Sequence, residues 1–180
     1  MAPTARSEEV GEGQGLDAWT NYEVETTATV IDFDPLGWTT GTSSYAFGFG
    51  LRWTGHTPGG VFPQPNHGLY PLGGLFIYRW FTSFERWELW TNKDESITHL
   101  PGGNTVLEDV TYRFRLRCET QPGGGTLYGM KMWEDGLAEP ADWTYEYLTP
   151  ATDDHPIGSF LFIAHHVDVL FGDVTVTPLP

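Results

Sequence analysis

A single cysteine, two lysines and no long apolar run set the first limits on this chain. Cys118 has no second thiol to pair with, so no disulfide closes within the chain. It falls on the apolar side of an alternating segment and reads as a small core residue, not a nucleophile. No stretch of about 18 apolar residues is present to span a bilayer, and the opening MAPTARSEEVGEGQG has no hydrophobic targeting core. Nine lysines and arginines stand against 24 aspartates and glutamates, a net charge of −15. Such a balance spreads negative potential over the surface. Neither nucleic acid nor a membrane is an expected partner. With only Lys93 and Lys131 as lysines, the surface has the acidic, lysine-poor character of proteins kept soluble in high salt.

Sustained helical periodicity is also missing, while 22 glycines and 13 prolines favour many short strands joined by turns. A length of 180 residues suits one domain with a sizeable core. Residues 1 to 16 are polar, Gly-rich and aperiodic and read as a flexible lead; the domain is expected over 17 to 180.

The clearest pattern lies between Asp109 and Trp133. Tyr112, Phe114, Leu116 and Cys118 alternate with Arg113, Arg115 and Arg117, the period of a strand with one face in a core. Gln121-Pro122-Gly123-Gly124-Gly125 then turns the chain into a second alternating segment, which predicts a hairpin over 105–119 and 126–133. Tyr22 to Phe33 predicts a first strand, broken at Asp34-Pro35-Leu36-Gly37. From Tyr45 to Trp53 the odd positions are large and apolar, while Ala46, Gly48, Gly50 and Arg52 occupy the even ones. Glycines weaken a strand, so two on one face point to close approach of another backbone or to room for a ligand. His56 to Gly73 is a long aperiodic loop of the kind that often carries function. Further strands are expected over 75–81 and 87–91 with a turn at 82–86, near 144–148, and over 158–164 and 167–177.

Taken in order, Tyr22-Glu23-Val24-Glu25, Leu51-Arg52-Trp53, Tyr112-Arg113-Phe114-Arg115-Leu116, Lys131-Met132-Trp133, Glu139-Pro140-Ala141-Asp142-Trp143 and the closing Val169 to Val176 resemble the laminin-G-like, concanavalin A-like lectin and glucanase superfamily over roughly residues 19 to 178. The resemblance implies an all-β, two-sheet antiparallel jelly-roll β-sandwich whose concave sheet binds or cleaves polysaccharide. The Lys-Met-Trp and Glu-Pro-Ala-Asp-Trp phrases resemble modules appended to secreted bacterial or archaeal proteins and phage tail proteins. An extracellular or surface-associated location follows, with a cytoplasmic one as the alternative.

Fold alone does not decide activity. Glycoside hydrolysis needs two carboxylates across the bond; Glu23 and Glu25 have the spacing but read as a solvated face. Lyase chemistry needs a group that neutralises a uronate and groups that move protons. Arg52, Arg79, Tyr78, His56, His67 and His165 supply the types without the strand motifs of such lyases. His165-His166 are neighbours expected to point to opposite faces, which argues against a shared metal. Calcium between the terminal strands is what the resemblance implies, with Asp168 and Asp173 as hard oxygen ligands and Asp17 nearby.

Sugar binding asks for aromatic platforms and a few polar groups in a shallow groove. Trp38, Trp80, Trp87, Trp90 and Trp143 lie near turns or polar neighbours, whereas Trp53 and Trp133 follow the core alternation. Arg52, Tyr78, Arg79 and Trp90 are the candidate groove beside Gly48 and Gly50. The expected function is a noncatalytic carbohydrate-binding module; a lyase or hydrolase, and a structural domain of a surface or virion assembly, are the alternatives.

Overall fold

The computed structural model describes residues 19–33, 45–53, 73–81, 85–91, 96–100, 104–151 and 156–180. The expected lead over 1–16, the break at Asp34 to Gly37, Trp38, and nearly all of the His56 to Gly73 loop, with His56 and His67, lie outside the described residues, as does Asp17. Among the described residues eleven strands run in chain order: β1 (Tyr22–Phe33), β2 (Tyr45–Trp53), β3 (Gly74–Trp80), β4 (Glu85–Thr91), β5 (Ser96–His99), β6 (Thr111–Thr120), β7 (Thr126–Glu134), β8 (Tyr145–Leu148), β9 (Ser159–His165), β10 (Val167–Phe171) and β11 (Thr175–Pro178). The described residues contain no α-helix.

The strands form two antiparallel sheets. The first has the order β10-β1-β6-β7-β8, with β11 also paired to β1, and the second has the order β5-β4-β3-β2-β9. Alternation explains why they stack. Tyr22, Val24, Ala28 and Val30 of β1 and Phe114, Leu116 and Cys118 of β6 turn inward from one sheet. Phe47, Phe49 and Leu51 of β2 and Trp87 and Leu89 of β4 meet them from the other. Phe49 and Phe114 close to 4.6 Å between ring centroids, and Trp87 meets Phe114 edge-on at 5.8 Å. Each such ring buried contributes about 1.5–3 kcal/mol, with tilted contacts adding to it. Cys118 is wholly buried, and burial pushes its thiol above the usual range, in keeping with a core residue.

Three elements differ from the alternation. The strand expected from Thr105 starts only at Thr111, because residues 104–110 fold over the sheet end: Asp109 takes a left-handed φ of 58° and its N–H donates to Val30 O at 2.8 Å. The strand expected over 167–177 splits in two. Gly172 N–H donates to Thr27 O at 3.0 Å, and the chain then re-pairs with β1 three residues nearer its start. β5 is a four-residue strand that no alternation marked.

Chain passage between the sheets is abrupt at His166, the one residue between β9 and β10, with φ at 53°. This turn overrides the opposite-face rule, and the rings of His165 and His166 lie 4.2 Å apart. At the other corner β1 pairs with β11, and Leu179 N–H donates to Asn21 O at 2.9 Å.

Candidate functional site

The hairpin that dominates the sequence builds the outer face of the first sheet. Positive φ at Gly123, Gly124 and Gly125 makes the turn. A Cβ on Gly125 would lie 2.2 Å from Thr149 O, so only glycine fits there. The register then aligns Thr27, Arg113 and Trp133 in one outward row, and Glu25, Arg115 and Lys131 in the next.

Arg115 spans Glu25 and Glu139, and reaches Glu23 at 3.5 Å; Arg113 pairs with Asp135 and Arg117 with Glu146. Lys131 donates to Glu139 Oε1 and Pro140 O, each at 2.9 Å, and to Ala141 O at 3.2 Å. That ammonium fastens the Glu-Pro-Ala-Asp-Trp segment to the sheet. Trp143 consequently lies over Gly129, with the Arg117 guanidinium 4.3 Å and the Lys131 ammonium 5.3 Å from its ring. Glu23 and Glu25 thus belong to an ion-paired outer face.

Trp133 stands at the end of this lattice with its indole partly exposed. The core position expected for it is wrong, because the inward residues of β7 are Tyr128, Met130 and Met132. A cleft of about 290 Å³ is lined by Glu25, Thr27, Arg113, Trp133, Asp173 and Thr175, over Thr26 and Phe114. A second cleft of about 300 Å³ lies at the inner side of the strand end, where Tyr112 and Glu134 stand opposite each other, and is lined by Asn104, Thr105, Leu107, Tyr112, Met132, Trp133 and Glu134. The crossing from β10 to β11 brings Asp173 to the first. Folding of residues 104–110 onto Tyr112, whose hydroxyl donates to Thr105 O and accepts from Leu107 N–H, shapes the second. The sequence signal for Trp133 was present: Lys131, two positions earlier, shares its face.

The four residues expected to form a groove do not share one. Arg52 is fully buried. A register shift between Gly50 and Trp53, with φ of 56° at Arg52, swings its side chain toward the other sheet. There it donates to Thr20 O, Thr126 Oγ1, Thr120 Oγ1 and Asn21 Oδ1. Tyr78 faces the core between Phe47 and Trp87, and burial, first among its causes, pushes its phenol up to about 12. Trp87 is likewise a core residue.

Arg79 and Trp90 do come together, on the far face of the second sheet. Both bind Glu88 Oε2, at 3.2 Å from Arg79 Nη1 and 2.9 Å from Trp90 Nε1, while Arg86 Nε binds Glu88 Oε1 at 2.7 Å. Burial opposes ionisation of Glu88, yet Trp90, Arg86 and Arg79 together hold its carboxyl below the usual range. No gap opens beside Gly48 and Gly50. A Cβ on Gly48 would lie 2.3 Å from Phe76 O, and one on Gly50 would touch Leu161 at 3.3 Å. Close backbone approach, the other reading, holds at Gly48, while the Leu161 side chain fills the space at Gly50. Leu75 and Ile77 beside them are buried.

His165 lies in the same row as Ala46, Arg79 and Arg86. Burial, then His166 and Arg79, hold its imidazole below the ordinary value. Asp168 stands opposite Asp32, whereas Asp173 lines the cleft beside Glu25 and Thr27, so the two flank different stretches of β1. Among the described residues no three His, Cys, Asp or Glu side chains are grouped to hold a metal.

A two-sheet β-sandwich with shallow clefts at the Trp133 end of its first sheet is the class of protein these features define. No protein-family model matches the chain, and no curated protein matches it.

Proposed function

We propose that the chain is a noncatalytic carbohydrate-binding module, a jelly roll of the concanavalin A type, which attaches a larger protein or particle to a polysaccharide. The observation that carries this reading is Trp133, a partly exposed aromatic residue on the outer face of the first sheet, lining a cleft that also holds hydroxyl, guanidinium and carboxylate groups. An aromatic face packs on the apolar side of a pyranose ring while such rim groups bind its hydroxyls. The use of Glu23 and Glu25 as partners of Arg115 supports binding over hydrolysis.

Pull-down on a panel of insoluble polysaccharides, with affinity electrophoresis on soluble ones, tests the proposal. Binding by the native chain and its loss in Trp133→Ala, with an unchanged circular dichroism spectrum, is the expected result. Failure of the native chain to bind any polysaccharide would overturn it, and release of reducing or unsaturated ends would replace it with an enzyme.

A further inference from the structure

Trp133, Arg113 and Thr27 stand side by side on three neighbouring strands, and Asp173 closes the row from the β10–β11 crossing, where Gly172 is bound to Thr27 O. All four line one cleft. An aromatic ring, a cation, a hydroxyl and a carboxylate therefore follow one another across the outer face of the first sheet. Two strand spacings, roughly 10 Å, separate the chain at Arg113 from the chain at Asp173.

Arg113 does not turn to Asp173. Its Nε donates to Asp135 Oδ1, the one partner its guanidinium has among the described residues, so both terminal amino groups keep their donors. Asp173 forms no ion pair among the described residues either. Asp135 stands outside the cleft lining and is fixed by the backbone. Its N–H donates to Thr111 O at 2.8 Å, and Leu137 N–H donates to Glu134 O at 3.1 Å around the left-handed Gly136.

Resting on the carbohydrate-binding reading of this cleft, we infer that a sugar ring on Trp133 is gripped through free hydroxyl groups by Arg113 as donor and Asp173 as acceptor, and that Asp135 is a positioning residue that keeps those two apart. A guanidinium only donates and an ionised carboxylate only accepts, whereas a sugar hydroxyl does both. Bonds to charged groups are also stronger than bonds between neutral ones. If Arg113 closed on Asp173, each would satisfy the other and neither would be left for a ligand. Asp135 removes that alternative by taking Nε and leaving the two terminal amino groups of the fork. Half of the Arg113 side chain and 43% of that of Asp135 are in solvent, and an ion pair so exposed adds little to stability. Its effect falls on the ligand, through Arg113.

Affinity electrophoresis and calorimetry with glucan, mannan and xylan, each native and fully O-methylated, test this. Methylation removes the hydroxyl hydrogens and keeps the ring faces. The native chain is expected to bind an unmodified polymer and to lose it on methylation. Arg113→Gln, Asp173→Asn and Asp135→Asn are each expected to weaken binding roughly tenfold, with melting temperatures close to that of the native chain. Added to Arg113→Gln, Asp135→Asn is expected to cost no further affinity, the non-additivity of a residue that acts through another.

Full affinity in any of the three single variants, a further loss when Asp135→Asn joins Arg113→Gln, or undiminished binding of a methylated polymer would each overturn the inference while carbohydrate binding stood. Binding to no polysaccharide, or binding that Trp133→Ala leaves intact, would instead remove the reading on which it rests.

Discussion

Arg52 of β2 and Thr126 of β7 meet across the sandwich, the guanidinium Nη1 donating to the hydroxyl Oγ1 at 2.7 Å. Arg52 also accounts for acceptors at Thr20, Asn21 and Thr120, so one buried cation ties both sheets at this end. Replacing it takes the charged donor from the buried Thr126 hydroxyl and from Thr20, Asn21 and Thr120 at the rim. Arg52→Met is expected to lose on the order of 3 kcal/mol, read as a lower urea midpoint. Arg52→Lys is expected to recover little, since an ammonium cannot reproduce the planar fork of donors.

Glu88 sets a pH limit on stability. Its folded carboxyl titrates below the ordinary value of 4.5. The unfolded chain therefore binds the proton first, and the stabilisation is present above that value and lost as pH falls through the folded one. Glu88→Gln is expected to cost roughly 3 kcal/mol at neutral pH and to flatten the acid limb of the stability curve. Urea titrations at a series of pH values read both effects.

His165 acts in the same sense at higher pH. Burial, His166 and Arg79 lower its folded value below 6.5, so stability is complete above that pH and declines as pH falls through the folded value. Melting temperatures measured between about pH 5 and 8 are expected to show this slope in the native chain and a shallower one in His165→Asn.

An added methyl group at Gly48 bears directly on the pairing of β2 with β3. The Cβ of Gly48→Ala would meet the Phe76 carbonyl at 2.3 Å and Ile77 Cα at 2.9 Å, backbone atoms that no rotamer change moves. An expected cost of about 1–3 kcal/mol follows for this overpacked site, checked by denaturant unfolding. Stability unchanged by the methyl group would mean that β2 and β3 stand farther apart.

Much of the sandwich was legible because its main strands advertise both faces. On β6 the arginines and the apolar residues alternate without exception through Cys118, so parity alone placed the core. Tyr78 and Arg79 show parity neglected: adjacent strand residues cannot share a face, and one of the two had to leave the expected groove. Arg52 was beyond reach, because a left-handed residue at a bulge reverses the parity on which the reading depends. His166 reverses it again at the sheet crossing. Trp133 was misplaced for a chemical reason. A large aromatic closing a Met-rich segment looks like core, while the outward lysine that fixes its side is itself drawn down by the Glu139 to Ala141 segment. β5 is too short for any period to show.

The bond between Leu179 and Asn21 has a mechanical consequence. It brings the start of β1 and the end of β11 to a single point, so these strands are tied at their outermost residues and cannot fray apart independently. Thr27, in the row of Trp133, lies six residues along β1 from that point, roughly 20 Å away. The joined ends of β1 and β11 and the Trp133 row stand at separate stations on the sheet.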